Sequence, residues 1–227
     1  MPLSPELASR RKAERAALIA RRLAAAPADH ARWSAELEAQ LRAAFGLLAG
    51  MTVGLCWPYR GEFDARPFVR DLRRRGARAG LPVVIAKGSP LEFREWWPGV
   101  AMINGVYDLP VPDGTVLVRP DALLIPAVGI GGAGDRLGYG GGFFDRTLAL
   151  LEPRPIAVAV AFELSRIPTT EPQPHDVLMD FVVTEAGIEA RAAGGLERVG
   201  AEECSRRLAA LAAERGLPQR PRGEPRA

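Results

Sequence analysis

The chain has few of the residues on which disulfide-bonded, metal-thiolate or covalent catalytic sites depend. Its 227 residues include two cysteines and two histidines. Cys56 and Cys204 lie far apart in the sequence and give neither a disulfide framework nor metal-ligand spacing. With His30 and His175 as the only histidines, no Ser-His-Asp or Cys-His constellation is evident.

A long apolar run is also missing. No stretch is long enough to span a bilayer and no signal-peptide pattern opens the chain, so we expect a cytoplasmic protein without a membrane partner. The hydrophobic fraction of 48% is enough for a sizeable core.

The net charge is +3, carried by arginines that concentrate near the two ends without interleaved aromatic residues. We therefore expect no nucleic-acid partner, and RNA binding through the ends is a weak alternative.

The hydrophobic pattern alternates between helix-like and strand-like segments. Helices are expected at residues 4–25, 31–49, 65–75 and 143–151, and strands at 52–57, 81–86, 91–97, 122–127, 155–162 and 181–184. This order predicts an α/β fold, with a mostly parallel central sheet flanked by helices and an N-terminal helical arm. We assign residues 1–185 to this domain. Residues 186–227, rich in Gly, Pro and Arg, are expected to form a peripheral, partly disordered tail around a short helix at 201–215.

Three polar loops follow the carboxyl ends of predicted strands. They are Pro58–Asp64, Gly129–Gly142 and Glu163–Asp176. Because ligands of open α/β sheets bind at the carboxyl ends of the strands, the sequence predicts that these loops converge on one cleft.

The most informative stretch is residues 123–148, LLIPAVGIGGAGDRLGYGGGFFDRTL. Glycines allow backbone amides to approach an anion, Arg136 can hold phosphate oxygens, and Asp145 can hold a metal. The loop therefore predicts a nucleotide-phosphate site. Gly129–Gly134 also fits G-x-G-x-x-G, but the eight residues DRLGYGGG separate it from the helix. An NAD(P)-dependent oxidoreductase is thus a weaker alternative.

The second half of this loop, RLGYGGGFFDR at 136–146, resembles the signature of the 5-formyltetrahydrofolate cyclo-ligase family, also called methenyltetrahydrofolate synthetases. The N-terminal basic helix and the segments PYRGEFD, LPVV and PHDVLMDFVVTE follow in the family's order, so the resemblance spans residues 10–185. It implies Mg²⁺- and ATP-dependent cyclisation of 5-formyltetrahydrofolate to 5,10-methenyltetrahydrofolate, with release of ADP and phosphate. We expect 5-formyltetrahydrofolate and ATP as ligands and a monomer or weak dimer. Phosphoryl transfer requires positioning and charge neutralisation, which suits an arginine- and glycine-rich loop.

The resemblance also implies roles for the residues of the loop. Arg136 and Tyr139 are the catalytic candidates, the first clamping phosphate and the second lying between nucleotide and folate. Asp145 and Asp176 are the Mg²⁺ candidates, with a helix N-cap as the competing interpretation of Asp145. The loop's candidate ATP-binding residues are Arg136, Leu137, Gly138, Tyr139, Gly140, Gly141, Gly142, Phe143 and Phe144.

Further candidates come from other segments. Glu62 matches the family's folate-contacting glutamate, and Trp57 either forms a wall for the folate ring or packs in the core. Arg11 and Arg15 lie on one face of the first helix and match the Lys-x-x-x-Arg that reaches ATP phosphates in the family. Here the first position is arginine, unless the register slips to Lys12.

Two departures from the family pattern bear on activity. Ile130-Gly131 stands where the family has an aromatic residue and aspartate, which removes a carboxylate from the start of the loop. Phe143-Phe144 stands where the family has Tyr-Tyr, which removes two hydroxyls. These departures leave open a non-catalytic homologue that binds folate or nucleotide.

Overall fold

The chain alternates between helices and strands in the computed structural model, which describes residues 4–219. The α-helices of this range are α1 (Pro5–Leu23), α2 (Pro27–Ala44), α3 (Arg66–Arg74), α4 (Phe143–Leu150) and α5 (Ala201–Glu214). The strands are β1 (Thr52–Gly54), β2 (Arg78–Val83), β3 (Glu92–Glu95), β4 (Met102–Asn104), β5 (Pro110–Pro112), β6 (Ala122–Pro126), β7 (Gly129–Ile130), β8 (Arg136–Leu137), β9 (Ile156–Val160), β10 (Phe181–Thr184), β11 (Gly187–Ala192) and β12 (Gly195–Val199). No helix in residues 4–219 combines the length and apolar character needed to cross a bilayer.

Eight strands form one mixed sheet in the order β12-β11-β10-β9-β6-β1-β2-β3. The five central strands, β10, β9, β6, β1 and β2, pair in parallel. Strand β3 at one edge and the β11–β12 hairpin at the other pair antiparallel. The predicted fold class, a mostly parallel central sheet flanked by helices with an N-terminal helical arm, is confirmed.

The core divides into clusters on the two faces of this sheet. Alternate residues of β6 point to opposite faces: Leu124 packs with α2, α3 and α5, whereas Leu123 and Ile125 pack on the face that α4 covers. A third cluster joins α1 to the glycine-rich loop through Leu18, Ile19, Val128 and Leu137. Apolar contacts therefore hold the first helix against the glycine-rich loop, with which it is expected to bind ATP.

One strand begins earlier than the sequence indicated. We expected residues 81–86, but β2 runs from Arg78 to Val83. Gly76, with φ of 109°, ends α3, and Arg78 pairs with Thr52 only two residues later. The connection between helix and strand is therefore shorter than the apolar run LPVVIA suggested.

The loose packing expected after residue 185 does not hold for the described part of that segment. Strands β11 and β12 extend the main sheet, and α5, at the position expected for the short helix, buries Cys204, Leu208 and Ala212 in the largest core cluster. The buried Asp180 ties the segment down, since its carboxylate accepts two hydrogen bonds of 2.8 Å from Arg215. The predicted domain boundary at residue 185 therefore does not coincide with a change in packing. It stays a proposal about where the family resemblance ends. Residues 220–227 of the expected tail lie outside the described residues.

Candidate active site

The three polar loops meet at the carboxyl ends of the parallel strands, as the sequence predicted. Hydrogen bonds join the glycine-rich loop to both of the others. The hydroxyl of Tyr139 donates to Glu62 Oε1 over 2.8 Å, and the amide of Thr170 donates to Asp135 Oδ2 over 2.6 Å. The three segments thus form one connected surface above β1, β6 and β9.

The first half of the glycine-rich loop is a hairpin. Strands β7 and β8 pair antiparallel, with Gly129 opposite Leu137 and Ile130 opposite Arg136. The following helix, α4, begins only at Phe143, after Gly142 in the left-handed conformation with φ of 61°. A dinucleotide site needs the glycine motif at a helix N-terminus. The geometry therefore gives no support to the oxidoreductase alternative.

Asp135 closes this hairpin, and the sequence analysis did not single it out. Its carboxylate is buried and accepts hydrogen bonds from the amides of Ala133 and Thr170. A Cβ atom added to Gly131 would overlap that carboxylate. The interpretation that Gly131 leaves the start of the loop without a carboxylate is therefore wrong, because Asp135 supplies one to the same place.

Arg136 pairs with Asp145 rather than standing free in the loop. The two side chains lie 2.9 Å apart and are 6% and 14% exposed. Asp145 Oδ1 also accepts from the amide of Val177 over 3.1 Å. The N-cap of α4 is Gly142, and Asp145 lies in the helix's first turn, so the N-cap interpretation of Asp145 is wrong. The Nε–H of Arg136 is buried and has no hydrogen-bond partner among residues 4–219.

The basic face of α1 lies against the other two loops. Arg11 pairs with Asp176 over 2.7 Å and donates to the carbonyls of Thr170 and Glu171. Lys12 is exposed, so Arg11 occupies the position for which the alternative register offered Lys12. Burial by itself raises the pKa of Asp176, but hydrogen bonds from Arg11 and the Gln173 amide bring this pKa below its ordinary value.

Arg15 lies one turn further along α1 and reaches the glycines. Its Nε donates to the carbonyl of Gly138 over 2.6 Å. Gly140 has φ of 93°, and a Cβ atom there would lie 3.3 Å from the Arg15 guanidinium. Burial, followed by the charge of Arg11, lowers the pKa of Arg15. The helix thus presents two neighbouring cations to the loop.

Glu62, Tyr139 and Arg22 form a second polar cluster. Arg22 donates to the Tyr139 hydroxyl over 2.8 Å and lies 3.7 Å from Glu62 Oε1, while the amide of Tyr59 donates to Glu62 Oε2 over 3.0 Å. Burial raises the pKa of Glu62, although Tyr139, Arg22 and the Tyr59 amide act to lower it. Burial and the nearby Glu62 raise the pKa of Tyr139. The residue Tyr139 as a whole is 42% exposed.

Sequence reasoning missed Arg22, although a signal was present. Arg11, Arg15 and Arg22 are spaced by four and seven residues, which places all three on one face of α1. Arg22 was one of many arginines in this helix and had no counterpart in the family pattern that we used.

Trp57 borders a cavity of about 350 Å³ beside the loop that carries Glu62. The cavity is lined by Trp57, Asp64, Arg66, Pro67, Arg70, Trp96, Pro98, Gly99, Val100 and Met102. The guanidinium of Arg66 lies 4.0 Å from the centre of the Trp57 ring, and Trp57 also packs against the largest core cluster. Both interpretations of Trp57, as a wall and as a packing residue, are compatible with this position.

The sequence model of the 5-formyltetrahydrofolate cyclo-ligase family matches residues 8–185. The chain belongs to this family. A 5-formyltetrahydrofolate cyclo-ligase of Mycolicibacterium smegmatis is 31% identical over 145 residues, which cover 60% of this chain and 75% of that protein. The protein of the same name from Escherichia coli K12 is 36% identical over 104 residues, which cover 43% of this chain and 57% of that protein.

Two solved structures share the fold. The NMR structure of Aquifex aeolicus 5,10-methenyltetrahydrofolate synthetase has a TM-score of 0.69 at 21% identity, covering 84% of this chain and 96% of that chain. The 5,10-methenyltetrahydrofolate synthetase from Mycoplasma pneumoniae has a TM-score of 0.63 at 22% identity, covering 77% and 98%. The family recognised from the sequence is thus confirmed, and the chain is an enzyme of the cyclo-ligase class with a place in folate one-carbon metabolism.

The second departure from the cyclo-ligase pattern has a packing explanation. Phe144 packs against the core cluster beneath α4, and the guanidinium of Arg136 lies 5.7 Å from its ring centre. Phe143 has the guanidinium of Arg146 at 5.6 Å from its ring centre. The two rings therefore keep aromatic contacts with arginines without hydroxyl groups.

Proposed function

We propose that the chain catalyses the ATP- and Mg²⁺-dependent cyclisation of 5-formyltetrahydrofolate to 5,10-methenyltetrahydrofolate, with release of ADP and phosphate. The observation that carries this proposal is the convergence of three distant segments on one surface. Arg15 of α1 contacts Gly138, Tyr139 contacts Glu62, and Arg136 is part of the same loop. These are the segments on which the cyclo-ligase resemblance rests.

The reaction is two displacements at atoms that the protein must bring together. The formyl oxygen attacks the γ-phosphorus of ATP, and the bond to the ADP oxygen breaks. The N10 nitrogen then attacks the formyl carbon and loses its proton, and the carbon–oxygen bond breaks as phosphate leaves. Neither step requires a covalent nucleophile from the protein, since positioning and charge neutralisation supply the catalysis.

The phosphate end of the site lies between α1 and the glycine-rich loop. We infer that Arg15 and the amides of Gly138–Gly142 hold triphosphate oxygens, and the contact of Arg15 with the Gly138 carbonyl supports this inference. Arg11 and Arg136 each hold an aspartate, so we infer that each exchanges this carboxylate for phosphate oxygens when ATP binds. The buried Nε–H of Arg136 is a further donor for such an oxygen.

The carboxylates released by that exchange suit Mg²⁺. No group of three or more His, Cys, Asp or Glu side chains within residues 4–219 could hold a metal by itself. Mg²⁺ commonly takes one or two carboxylates and completes its shell with phosphates and water, so Asp145 and Asp176 fit this ion. The ion would neutralise negative charge on the phosphates of ATP.

The folate end lies at Glu62 and Tyr139. An ionised Glu62 accepts hydrogen bonds from pterin N–H groups, and the partly exposed Tyr139 offers an aromatic ring for stacking. Trp57 forms one wall of the cavity next to this end. We keep the cytoplasmic location and the monomeric or weakly dimeric state as proposals.

The direct test follows the absorbance of the methenyl product. Purified protein is mixed with 5-formyltetrahydrofolate and Mg²⁺, with and without ATP, and ADP is measured in parallel. We expect product that requires ATP, stops on chelation of Mg²⁺, and appears with one ADP per turnover, as the two displacements require. ATP binding without product would refute catalysis.

A variant of Arg15 tests the phosphate end. Arg15→Met should raise the KM for ATP about tenfold or more, because a hydrogen bond from a charged donor is worth roughly 1.5–3 kcal/mol. Arg21→Met is the matched control, since Arg21 lies on the same helix and contacts the carbonyl of Leu164 instead. Equal KM values in the two variants would remove Arg15 from the site.

A non-catalytic homologue that binds folate or nucleotide is the second candidate. The loss of two hydroxyls at Phe143 and Phe144 favours it. Calorimetry with each ligand would separate the candidates, because this homologue would bind without consuming ATP.

A further inference from the structure

Arg22 is a buried cation placed beneath the folate end of the site. The residue is 4% exposed although it belongs to the solvent-facing arm α1. Its Nε donates to the carbonyl of Arg60 over 2.9 Å, and its other nitrogens reach the carbonyls of Tyr59 and Ala127 at 3.5 Å. One arginine therefore joins α1, the loop after β1 and the end of β6.

A buried guanidinium needs a compensating charge, and Glu62 is the carboxylate beside it. The side chains of Arg22 and Glu62 are 3% and 4% exposed, with their nearest charged atoms 3.7 Å apart. Tyr139 bridges the pair, since its hydroxyl accepts from Arg22 and donates to Glu62, both over 2.8 Å. At this depth a lone carboxylate would be strongly biased toward its protonated form.

We propose that Arg22 is a positioning residue for folate, which keeps Glu62 ionised and holds the Tyr139 hydroxyl against it. This inference rests on the proposed function for its ligand, because Glu62 is the group expected to accept the pterin N–H donors. A protonated carboxyl group offers fewer acceptor sites and adds a donor that faces the pterin's own donors. Arg22 thus acts on the substrate through Glu62 and Tyr139 without touching it.

Other charged or titratable groups also surround Glu62. Tyr139 donates to it and Cys56 lies close enough to be affected by its charge, and the packed elements around it also carry His30, Tyr59, Arg60 and Arg136. His30 contacts the carbonyl of Gly61, and the Cys56 thiol, whose pKa burial raises, responds to both Glu62 and Arg136. Of these groups Tyr139 contacts the Glu62 carboxylate with its side chain, as does Arg22 from α1.

The sign of the pH dependence follows from the direction of the Glu62 pKa. Since burial raises this pKa, folate affinity should fall as the pH drops below it, by about tenfold per pH unit. Removing the charge of Arg22 raises the pKa of Glu62 further. In Arg22→Gln the fall in affinity should therefore begin at a higher pH than in the wild type.

The first experiment measures Glu62 itself and needs no ligand. Protein labelled with ¹³C at glutamate carboxyls is titrated by NMR, and Glu62→Gln assigns the signal. We expect the Glu62 pKa to rise in Arg22→Gln and to return towards the wild-type value in Arg22→Lys, which restores the charge. Arg21→Gln is the control and should leave the titration unchanged. An unchanged Glu62 pKa in Arg22→Gln would overturn the proposal.

The second experiment measures the dissociation constants of 5-formyltetrahydrofolate and ATP across the same pH range. In Arg22→Gln we expect folate affinity at neutral pH to weaken about tenfold or more, with ATP affinity unchanged. A general structural defect would weaken both ligands. If the wild type binds folate without turning it over, the proposed reaction fails while the role of Arg22 stands. If it binds no folate, the assignment of Arg22 to folate positioning fails with it.

If Arg22→Gln is poorly folded, the third experiment measures its free energy of unfolding as a function of pH. Ionising a carboxyl whose pKa is raised in the folded state costs stability, and the cost grows as the pH rises through that pKa. Arg22→Gln should therefore lose stability between acidic and neutral pH, and the double variant Arg22→Gln/Glu62→Gln should recover it at neutral pH. No recovery in the double variant would show that the charges are not coupled.

Discussion

Replacing Gly131 by aspartate, the residue of the family pattern, should destabilise this chain. The backbone of Gly131 is not in the left-handed region, so it can carry a side chain. The obstacle is the buried carboxylate of Asp135, which would overlap the new Cβ atom. Two carboxylates would also share one buried site, which disfavours ionising both.

The magnitude follows from the two ways in which the clash can be relieved. Forcing extra atoms into a packed site costs about 1–3 kcal/mol. Displacing Asp135 instead leaves the buried amide of Thr170, which now donates to this carboxylate over 2.6 Å, without its acceptor, and this costs about 1–3 kcal/mol. Because either route relieves the clash, the expected loss is that of one route, and for a chain of this size it corresponds to a fall in Tm of roughly 2–12 °C.

The assay is thermal unfolding of a double-mutant cycle. Gly131→Asp/Asp135→Ala makes room for the new carboxylate, so it should be more stable than the sum of the two single changes by about 0.5–3 kcal/mol. Gly132→Asp is the matched control, because a Cβ atom there meets nothing within 4 Å. The overlap of the two carboxylate positions would be refuted if Gly131→Asp and Gly132→Asp had the same Tm. It would also be refuted if the stability losses of Gly131→Asp and Asp135→Ala were additive in the double variant.

Three further predictions concern Asp180, Tyr139 and Cys204. Asp180→Ala leaves Arg215 without its buried partner and should lower the free energy of unfolding by about 3–5 kcal/mol in urea titrations; a loss below about 1 kcal/mol would contradict the pairing. Tyr139→Phe should raise the KM for 5-formyltetrahydrofolate about tenfold and leave the KM for ATP unchanged, because it removes the hydroxyl that donates to Glu62. Burial raises the pKa of Cys204 to about 12, so in Cys56→Ser protein a thiol reagent at neutral pH should label Cys204 only on unfolding; fast labelling of the native protein would show that α5 is not packed.

Most of the sheet was predictable because its strands carry short-range signals. Strand β10 lies where the apolar run FVVT indicated, and α4 begins at the predicted residue, Phe143. The β11–β12 hairpin was missed because the small, glycine-flanked residues of 187–199 resemble a loop in composition. Its stability comes from pairing with β10 and from burial of Ile188 and Ala190, which are long-range effects that no local pattern contains.

The same distinction explains which site residues the sequence located. Arg136, Tyr139 and Asp145 lie in a continuous motif, and the structure keeps them together in one loop and the following helix turn. Glu62 was found through its segment, but its contact with Tyr139 spans 77 residues and only the fold brings them together. The ion pair of Arg11 with Asp176 was likewise beyond prediction, because it joins segments that meet only in the folded chain.

Asp135 shows that a motif residue can be replaced by a residue at another sequence position, provided that its side chain reaches the same point in the folded structure. Gly131 lacks the expected carboxylate, but the carboxylate of Asp135 fills the volume that a side chain at position 131 would occupy. The family pattern assigns nothing to Arg22, yet its guanidinium reaches Tyr139 and lies beside Glu62. A missing charge in the motif is therefore weak support for a non-catalytic homologue until the fold shows that no other residue supplies that charge. The departure at Gly131 has such a substitute in Asp135. The turnover assay must therefore show whether the other departure, Phe143-Phe144, is compatible with catalysis.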